Sequence, residues 1–342
     1  MEFYYWILIA LAILVFLIIL IRCIANGPKS PLDQDMTGKT VIVTGSNTGI
    51  GKITALELLR RGARVIFASR DEIKTKAVIN EIPEQDLRQK AFFIKLDLGS
   101  FQSIKNFTEE FKSDHKSLDI LINNAGATFD KFQLKENIES TIMTNHVGPV
   151  CLTAMLLEVM NPRGKVINVS SKGHTYPTSK NLAYLYQEYD FSNIRSNYQH
   201  LMLYCLSKLG NVYHAKSLTN YFKRNNKEIK TASLHPGLVN TDIFNTKRFS
   251  RPIVKFCFGL FHPFLWLFSK DIFMGAQTTL HIAYMDYDDL NSGAYFNNCK
   301  EEKLGEIPSD REKCEEFMNY THQLIKNNWN DYPQEIKTYL EN

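Results

Sequence analysis

The stretch Thr44-Gly45-Ser46-Asn47-Thr48-Gly49-Ile50-Gly51 constrains this chain more than any other. An apolar β-like run, Thr40-Val41-Ile42-Val43, ends directly on it, and a helical pattern starts directly after it. Gly45 permits a sharp turn out of the strand, Gly49 lets backbone N–H groups approach an anion, and Gly51 allows the next helix to pack closely, with its N-terminus facing that anion. Residues Gly45, Ser46, Asn47, Thr48, Gly49, Ile50 and Gly51 are therefore expected to cradle the pyrophosphate of a dinucleotide.

Downstream, apolar runs alternate with helical stretches. Thr40 to Val43, Arg64 to Ser69, Ala91 to Leu96, Ile120 to Ile122, Lys165 to Val169 and Thr231 to Leu234 read as strands, and Ile53 to Leu59 as an amphipathic helix. This alternation predicts an α/β fold, a Rossmann-type doubly wound parallel sheet in a single domain, with ligands at the carboxyl ends of the strands. The chain of 342 residues suffices for one such domain with appendages. A net charge of +4 is too small to argue for nucleic acid as a partner. Cys23, Cys151, Cys205, Cys257, Cys299 and Cys314 show no CxxC pair and no zinc spacing, so they read as reduced thiols with no metal site.

The N-terminus is apolar and uncharged from Phe3 to Ile21, between Glu2 and Arg22. As a helix this run spans about 28 Å, the thickness of a bilayer's hydrocarbon core. Tyr4, Tyr5 and Trp6 suit one membrane interface, while Arg22 and Lys29 flank the other end. A cleaved signal peptide is the alternative, but a basic n-region is missing and the run exceeds an ordinary h-region. The favoured organisation is a transmembrane anchor over 1–24, a linker over 25–37, a catalytic domain over 38–330 and a C-terminal tail over 331–342. The basic C-terminal flank places the domain in the cytosol, with the endoplasmic reticulum as the expected membrane. Sequons at Asn106, Asn168 and Asn319 read as chance, and they provide a test of that topology.

The polar motifs fall at strand ends. Ser69 and Arg70 suit the 2′-phosphate of NADP(H), a small polar residue beside a cation, whereas Asp71 either pairs with Arg70 or supports NAD. The run Asn123-Asn124-Ala125-Gly126 brings small residues under a cofactor or forms a simple turn. Tyr204 and Lys208, four residues apart, share one helix face. An ammonium beside a phenol lowers the phenol's pKa toward the working range, and the same lysine can hold the nicotinamide ribose. Ser171 can hydrogen-bond a substrate carbonyl oxygen, and Asn145, inside a long helix, can anchor a water for proton relay. Tyr176 and Lys180 repeat the spacing, but Pro177 argues against a helix interior there and no amphipathic helix is expected after it.

The glycine loop, Asp97, Asn124-Ala125-Gly126, Asn145, Ser171, Tyr204/Lys208 and Pro236-Gly237 with Thr241 occur in the order that resembles the short-chain dehydrogenase/reductase family. The resemblance spans roughly Gly38 to Phe296. Asn47 to Lys52, Ala68 to Asp71, Gly275 to Thr278 and the anchor look like its retinol dehydrogenase-like branch. The resemblance implies that Asp97 and Leu98 flank the adenine and that Thr241 contacts the nicotinamide carboxamide. It also implies a hydrophobic alcohol or its aldehyde or ketone as substrate, and it leaves room for a homodimer. A steroid dehydrogenase and a non-catalytic, cofactor-binding membrane scaffold are the rival readings.

Ser171 and Tyr204 lie 33 residues apart, more than in most of that family. The intervening stretch reads equally as a substrate loop or a surface insertion, and a displaced Ser171 would not polarise a carbonyl. After Thr241, an aromatic-rich segment over 245–272 includes Phe264-Leu265-Trp266-Leu267-Phe268, and Lys255, Gly259, His262 and Pro263 interrupt its apolar run. It is expected to cover a lipid-soluble substrate and touch the bilayer, the alternative being an ordinary core helix pair.

Overall fold

The computed structural model describes residues 2–186, 198–239 and 266–341. Its main sheet has eight strands in the order β10-β9-β8-β7-β4-β1-β2-β3. They are β1 (Thr40–Thr44), β2 (Arg64–Ser69), β3 (Ala91–Lys95), β4 (Leu118–Asn123), β7 (Met160–Val169), β8 (Ile229–His235), β9 (Ala294–Asn297) and β10 (Lys300–Glu301). All neighbours pair in parallel except β10, which returns antiparallel along the edge. A separate hairpin joins β5 (Leu134–Lys135) to β6 (Ile138–Glu139).

Every residue of β1 is buried because helices cover both faces of the sheet. The period of two divides its side chains. Ile42 joins Ile66, Leu121, Val166 and Phe107 on one face, whereas Val41 and Val43 join Ala55, Leu58, Val65 and Ile122 on the other. The chain reverses direction in strand order between β1 and β4, and both strands end there on the polar loops of the cleft. This is the switch point at which such sheets bind ligands.

Four features depart from the sequence reading. β9 extends the parallel sheet beyond β8, although Ala294-Tyr295-Phe296-Asn297 is too short to give a strong periodic signal. Asn145 lies in a π-helical turn, Met143–Val147, between the short helix Ser140–Ile142 and the helix Gly148–Leu156, rather than in a continuous α-helix. A helix does follow Tyr176. It covers Ser179–Tyr186, buries Leu182 and Leu185, and starts where Thr178 and Asn181 exchange hydrogen bonds. The expected C-terminal tail contains a helix, Gln334–Glu341, that buries Ile336, Tyr339 and Leu340.

The N-terminal helix runs over Glu2–Asn26. The most apolar stretch within Tyr4–Asn26 has a mean hydropathy of 3.3 and none of it is buried in the protein, so it is not a core helix. The five described cysteines are free. Thr241, Cys257, His262, most of the 245–272 segment and the centre of the insertion before Tyr204 lie outside the described residues.

Candidate active site

The glycine loop closes on itself by contacts that exclude side chains. Gly45 and Gly49 have φ of 66° and 56°, in the left-handed region that favours glycine. A Cβ on Gly51 would lie 2.3 Å from the Gly45 carbonyl oxygen and 2.4 Å from Asn124 Nδ2. The Gly51 contact is thus with the loop itself and the β4 terminus. Thr44 Oγ1 accepts from the amides of Asn124 and Ala125 at 3.0 Å each, and Asn124 Nδ2 donates to the Thr44 carbonyl at 2.8 Å. These bonds explain the small, polar residues after β4: they lace its end to the end of β1.

The resulting cleft has a volume of about 400 Å³ and reaches from Arg70 and Lys74 past Asn47 and Gly49 to Gly126 and Thr144. The Thr144 hydroxyl is buried on this cleft and has no hydrogen-bond partner among the described residues. A long cleft with glycine-sized walls, a helix N-terminus at its middle and an available hydroxyl fits an extended dinucleotide.

At one end, Ser69 is buried, and its hydroxyl lies 2.5 Å from that of Thr75, which itself donates to the Asp71 carbonyl at 2.6 Å. Ser69 therefore spends its proton on Thr75, which leaves exposed Arg70 as the cation facing the cleft, with Lys74 beside it. Asp71 does not pair with Arg70. Its carboxylate caps the Glu72–Asn80 helix by accepting from the Lys74 amide at 3.0 Å, which holds its pKa below the usual carboxylate value.

Asp97 and Leu98 line the same end. The Asp97 carboxylate accepts from the Gly99 amide at 2.9 Å and pairs with Lys135 at 3.2 Å. Lys135 escaped the sequence reading because the β5–β6 hairpin that carries it has only two residues per strand. By contrast, Asp119 sits inside β4 at the opposite end of the sheet, where it accepts from the Thr40 amide at 2.8 Å and from Asn161 at 3.1 Å. It ties strands together away from the cleft.

At the other end, Asn145, Ser171, Tyr204 and Lys208 come together. Tyr204 and Lys208 lie one turn apart on the His200–Arg224 helix. Their neighbours fix that helix: Ser170 Oγ donates to the Lys208 carbonyl at 2.7 Å, and Lys208 Nζ donates to the Val169 carbonyl at 3.0 Å. Ser171 stands near enough to the Tyr204 hydroxyl to lower its pKa, so the insertion does not carry Ser171 away from it. Ser171 also caps the 3-10 turn Lys172–Thr175 by accepting from the Gly173 amide at 3.2 Å. Lys208 Nζ stands 5.7 Å from the centre of the Tyr204 ring.

Burial dominates the electrostatics here. Lys208 is 3% exposed, and its pKa is pushed down to about 8. Tyr204 is raised above its ordinary value by burial, against the opposing hydrogen bond from Ser171. The expected lowering of the phenol by its lysine does not occur here, and Tyr204 is a protonated donor at neutral pH.

Asn145 is fully buried and spends its amide on the protein. Oδ1 accepts from the Ala127 amide at 2.8 Å, while Nδ2 donates to the Ala127 carbonyl at 2.9 Å and to Ser207 Oγ at 3.1 Å. One lone pair of Oδ1 is what remains for a water. Buried Glu139 caps the Ser140–Ile142 helix through the amides of Thr141 and Ile142 at 2.9 Å, and it receives Tyr198 Oη at 3.0 Å. It therefore joins the Asn145 turn to the chain entering the Tyr204 helix, a long-range link with no sequence signature. Tyr176 is 67% exposed.

Comparison with known proteins agrees with this geometry. The family model described as short chain dehydrogenase matches residues 39–185. Retinol dehydrogenase 12 of Bos taurus is 32% identical over 90% of this chain and 93% of its own. Retinol dehydrogenase 11 of Homo sapiens is 35% identical over 77% and 78%. The crystal structure of an uncharacterized protein from Mycobacterium paratuberculosis superposes with a TM-score of 0.65 at 26% identity, covering 88% of this chain and 98% of that one.

Proposed function

This chain belongs to the short-chain dehydrogenase family, in its retinol dehydrogenase-like branch, as an oxidoreductase acting on alcohols with a nicotinamide dinucleotide; from that premise, we propose that it is membrane-anchored, prefers NADP(H) and interconverts a hydrophobic alcohol with its aldehyde or ketone. One observation carries the reading: Ser171 stands near the Tyr204 hydroxyl, and buried Lys208 and Asn145 border Gly126 at the end of the glycine-lined cleft. The nicotinamide, when bound, supplies the hydride or accepts it in the reverse direction.

Ser171 donates to the substrate oxygen and fixes its position against Tyr204. Tyr204, neutral at physiological pH, gives its proton to that oxygen as negative charge develops there. Lys208 would hold the nicotinamide ribose, and it supports the tyrosinate that remains. Asn145 orients the Ala127 backbone and Ser207 around the pair, and its free lone pair takes a water that leads the replacement proton in. A cytosolic pool of mostly reduced NADP sets reduction as the working direction.

Arg70, with Lys74 beside it, supports NADP(H) over NAD through the charge of a 2′-phosphate. The unburied apolar helix Tyr4–Asn26 and its basic flank support a single membrane crossing, with the domain on the cytosolic face of the endoplasmic reticulum. A retinoid, sterol or long-chain aldehyde is the substrate class, on the strength of that anchor and of the branch.

The test is turnover of the full chain with retinal, a ketosteroid and a long-chain fatty aldehyde, each with NADPH and NADH. Retinal or fatty aldehyde reduced faster with NADPH supports the reading. Preferred ketosteroid turnover would make it a steroid dehydrogenase, and no turnover of any member would favour the cofactor-binding scaffold.

A further inference from the structure

The apolar helix does not simply precede the domain; its C-terminal end is fastened to it. Arg22 Nη1 donates to the carbonyls of Trp266 and Ser269, and the guanidinium lies 4.7 Å from the centre of the Trp266 ring. Asn26 Oδ1 accepts from the Asp271 amide at 2.9 Å, and Lys29 Nζ stands 5.6 Å from the Phe273 ring centre. Around these contacts the domain exposes large apolar side chains: Leu238 at 44%, Trp266 at 48%, Phe268 at 55%, Ile272 at 37% and Phe273 at 36%. Single exposed apolar residues need no explanation, but five gathered at the base of an unburied apolar helix do.

This patch is also tied to the cleft. The Lys270 amide donates to the Leu238 carbonyl at 2.7 Å, just beyond the carboxyl end of β8. A Cβ on Gly275 would meet Val239 at 2.7 Å and Ile50 of the glycine loop at 3.3 Å. A continuous set of contacts thus runs from Arg22 through 266–275 to the loop that lines the cleft.

Resting on the anchoring reading above, we propose that Leu238, Trp266, Phe268, Ile272 and Phe273 lie in the headgroup–acyl boundary of the bilayer that the helix crosses. Arg22 is the clamp that sets the domain's tilt. The occupant of the patch is lipid, because the patch continues the surface of the apolar helix, its aromatic side chains suit the interface, and Arg22 and Lys29 lie at the level of anionic headgroups. In this pose the β8 end of the cleft opens toward the membrane, so a lipid-soluble substrate reaches it without crossing water.

The test uses the full chain in phosphatidylcholine–phosphatidylserine vesicles, with an environment-sensitive fluorescent amino acid replacing Phe268 or, as a control, Ile73, which is 84% exposed on the Glu72–Asn80 helix. The probe at 268 is expected to emit to the blue, to be quenched by lipids spin-labelled near the headgroup and to be shielded from iodide, with the opposite behaviour at 73. Equal iodide quenching at both positions, in protein that still floats with the vesicles, overturns the docked patch and leaves the anchor standing. Failure to float refutes the anchor itself. Arg22→Gln is expected to keep flotation and to expose the probe at 268, and unchanged shielding in that variant rules out the clamp.

Discussion

Ser171 stands near enough to the Tyr204 hydroxyl to lower its pKa although an insertion separates the two in the sequence. The two are close because Ser171 leaves the end of β7, while Tyr204 lies on a helix pinned to that same strand end through Ser170, Val169 and Lys208. Tyr204→Phe keeps the ring and removes the proton. The expected result is a fall in kcat of about 10²–10⁴-fold with cofactor affinity little changed. Tyr176→Phe, at the competing motif, is expected to leave turnover within about twofold. Steady-state kinetics and cofactor fluorescence titration on both variants check this, and equal losses would remove Tyr204 from its assigned role.

Lys208, with a pKa pushed down to about 8 by burial, is expected to set the alkaline limit of turnover. Below that value the ammonium is present, and above it the charge is lost. Tyr204, raised above its ordinary value, stays protonated throughout that range. The rate of carbonyl reduction is therefore expected to fall about tenfold per pH unit above about 8. A pH–rate profile flat to pH 10 would contradict the assignment of Lys208.

Gly51→Ala places a methyl group 2.3 Å from the Gly45 carbonyl oxygen. Backbone on one side and Asn124 on the other cannot both yield, so a loss of about 1–3 kcal/mol in stability and a marked loss of dinucleotide affinity are expected. Gly305→Ala, in open space, serves as the control. Chemical denaturation and fluorescence titration measure the two effects.

Arg70→Ala is expected to raise the KM for NADPH roughly tenfold and that for NADH less than twofold, the signature of a lost charged hydrogen bond to a phosphate. Lys74→Ala should have the same sign and a smaller size, since its ammonium also pairs with Asp71 at 3.4 Å. Equal effects on the two cofactors would reject the NADP assignment.

His146 is 1% exposed, and burial holds its pKa at about 3, with His214 likewise well below the usual value. Both bind a proton in the unfolded chain below about pH 6.5 and not in the folded one, so their contribution to stability is complete above 6.5 and declines as the pH falls. Each removes about 1.4 kcal/mol per pH unit. Denaturation midpoints measured from pH 7 to 4.5 should fall, and His146→Gln should flatten that slope by about one histidine's share.

Much of this was legible in the chain. Strand cores such as Thr40 to Val43 and Arg64 to Ser69 were readable because a strand buried on both faces is a continuous apolar run, and the glycine loop because its conformations admit few other residues. Lys135, Thr144 and the Glu139–Tyr198 link were not. Each is a single residue on a short or irregular element, and its significance comes from what lies opposite it.

The sequence by itself determined the order of elements, the cofactor loop, the apolar N-terminal helix and the polar side chains available at the strand ends, since these follow from local periodicity and from backbone conformations only glycine adopts readily. The tertiary structure decided what each of those side chains meets and in what protonation state. It gave Asp71 to a helix cap and the Ser69 proton to Thr75, left Tyr176 exposed while partly burying Tyr204, and held Tyr204 protonated by that burial. Those outcomes depend on distance and solvent exclusion between residues far apart in the chain, and neither quantity is written in the local sequence.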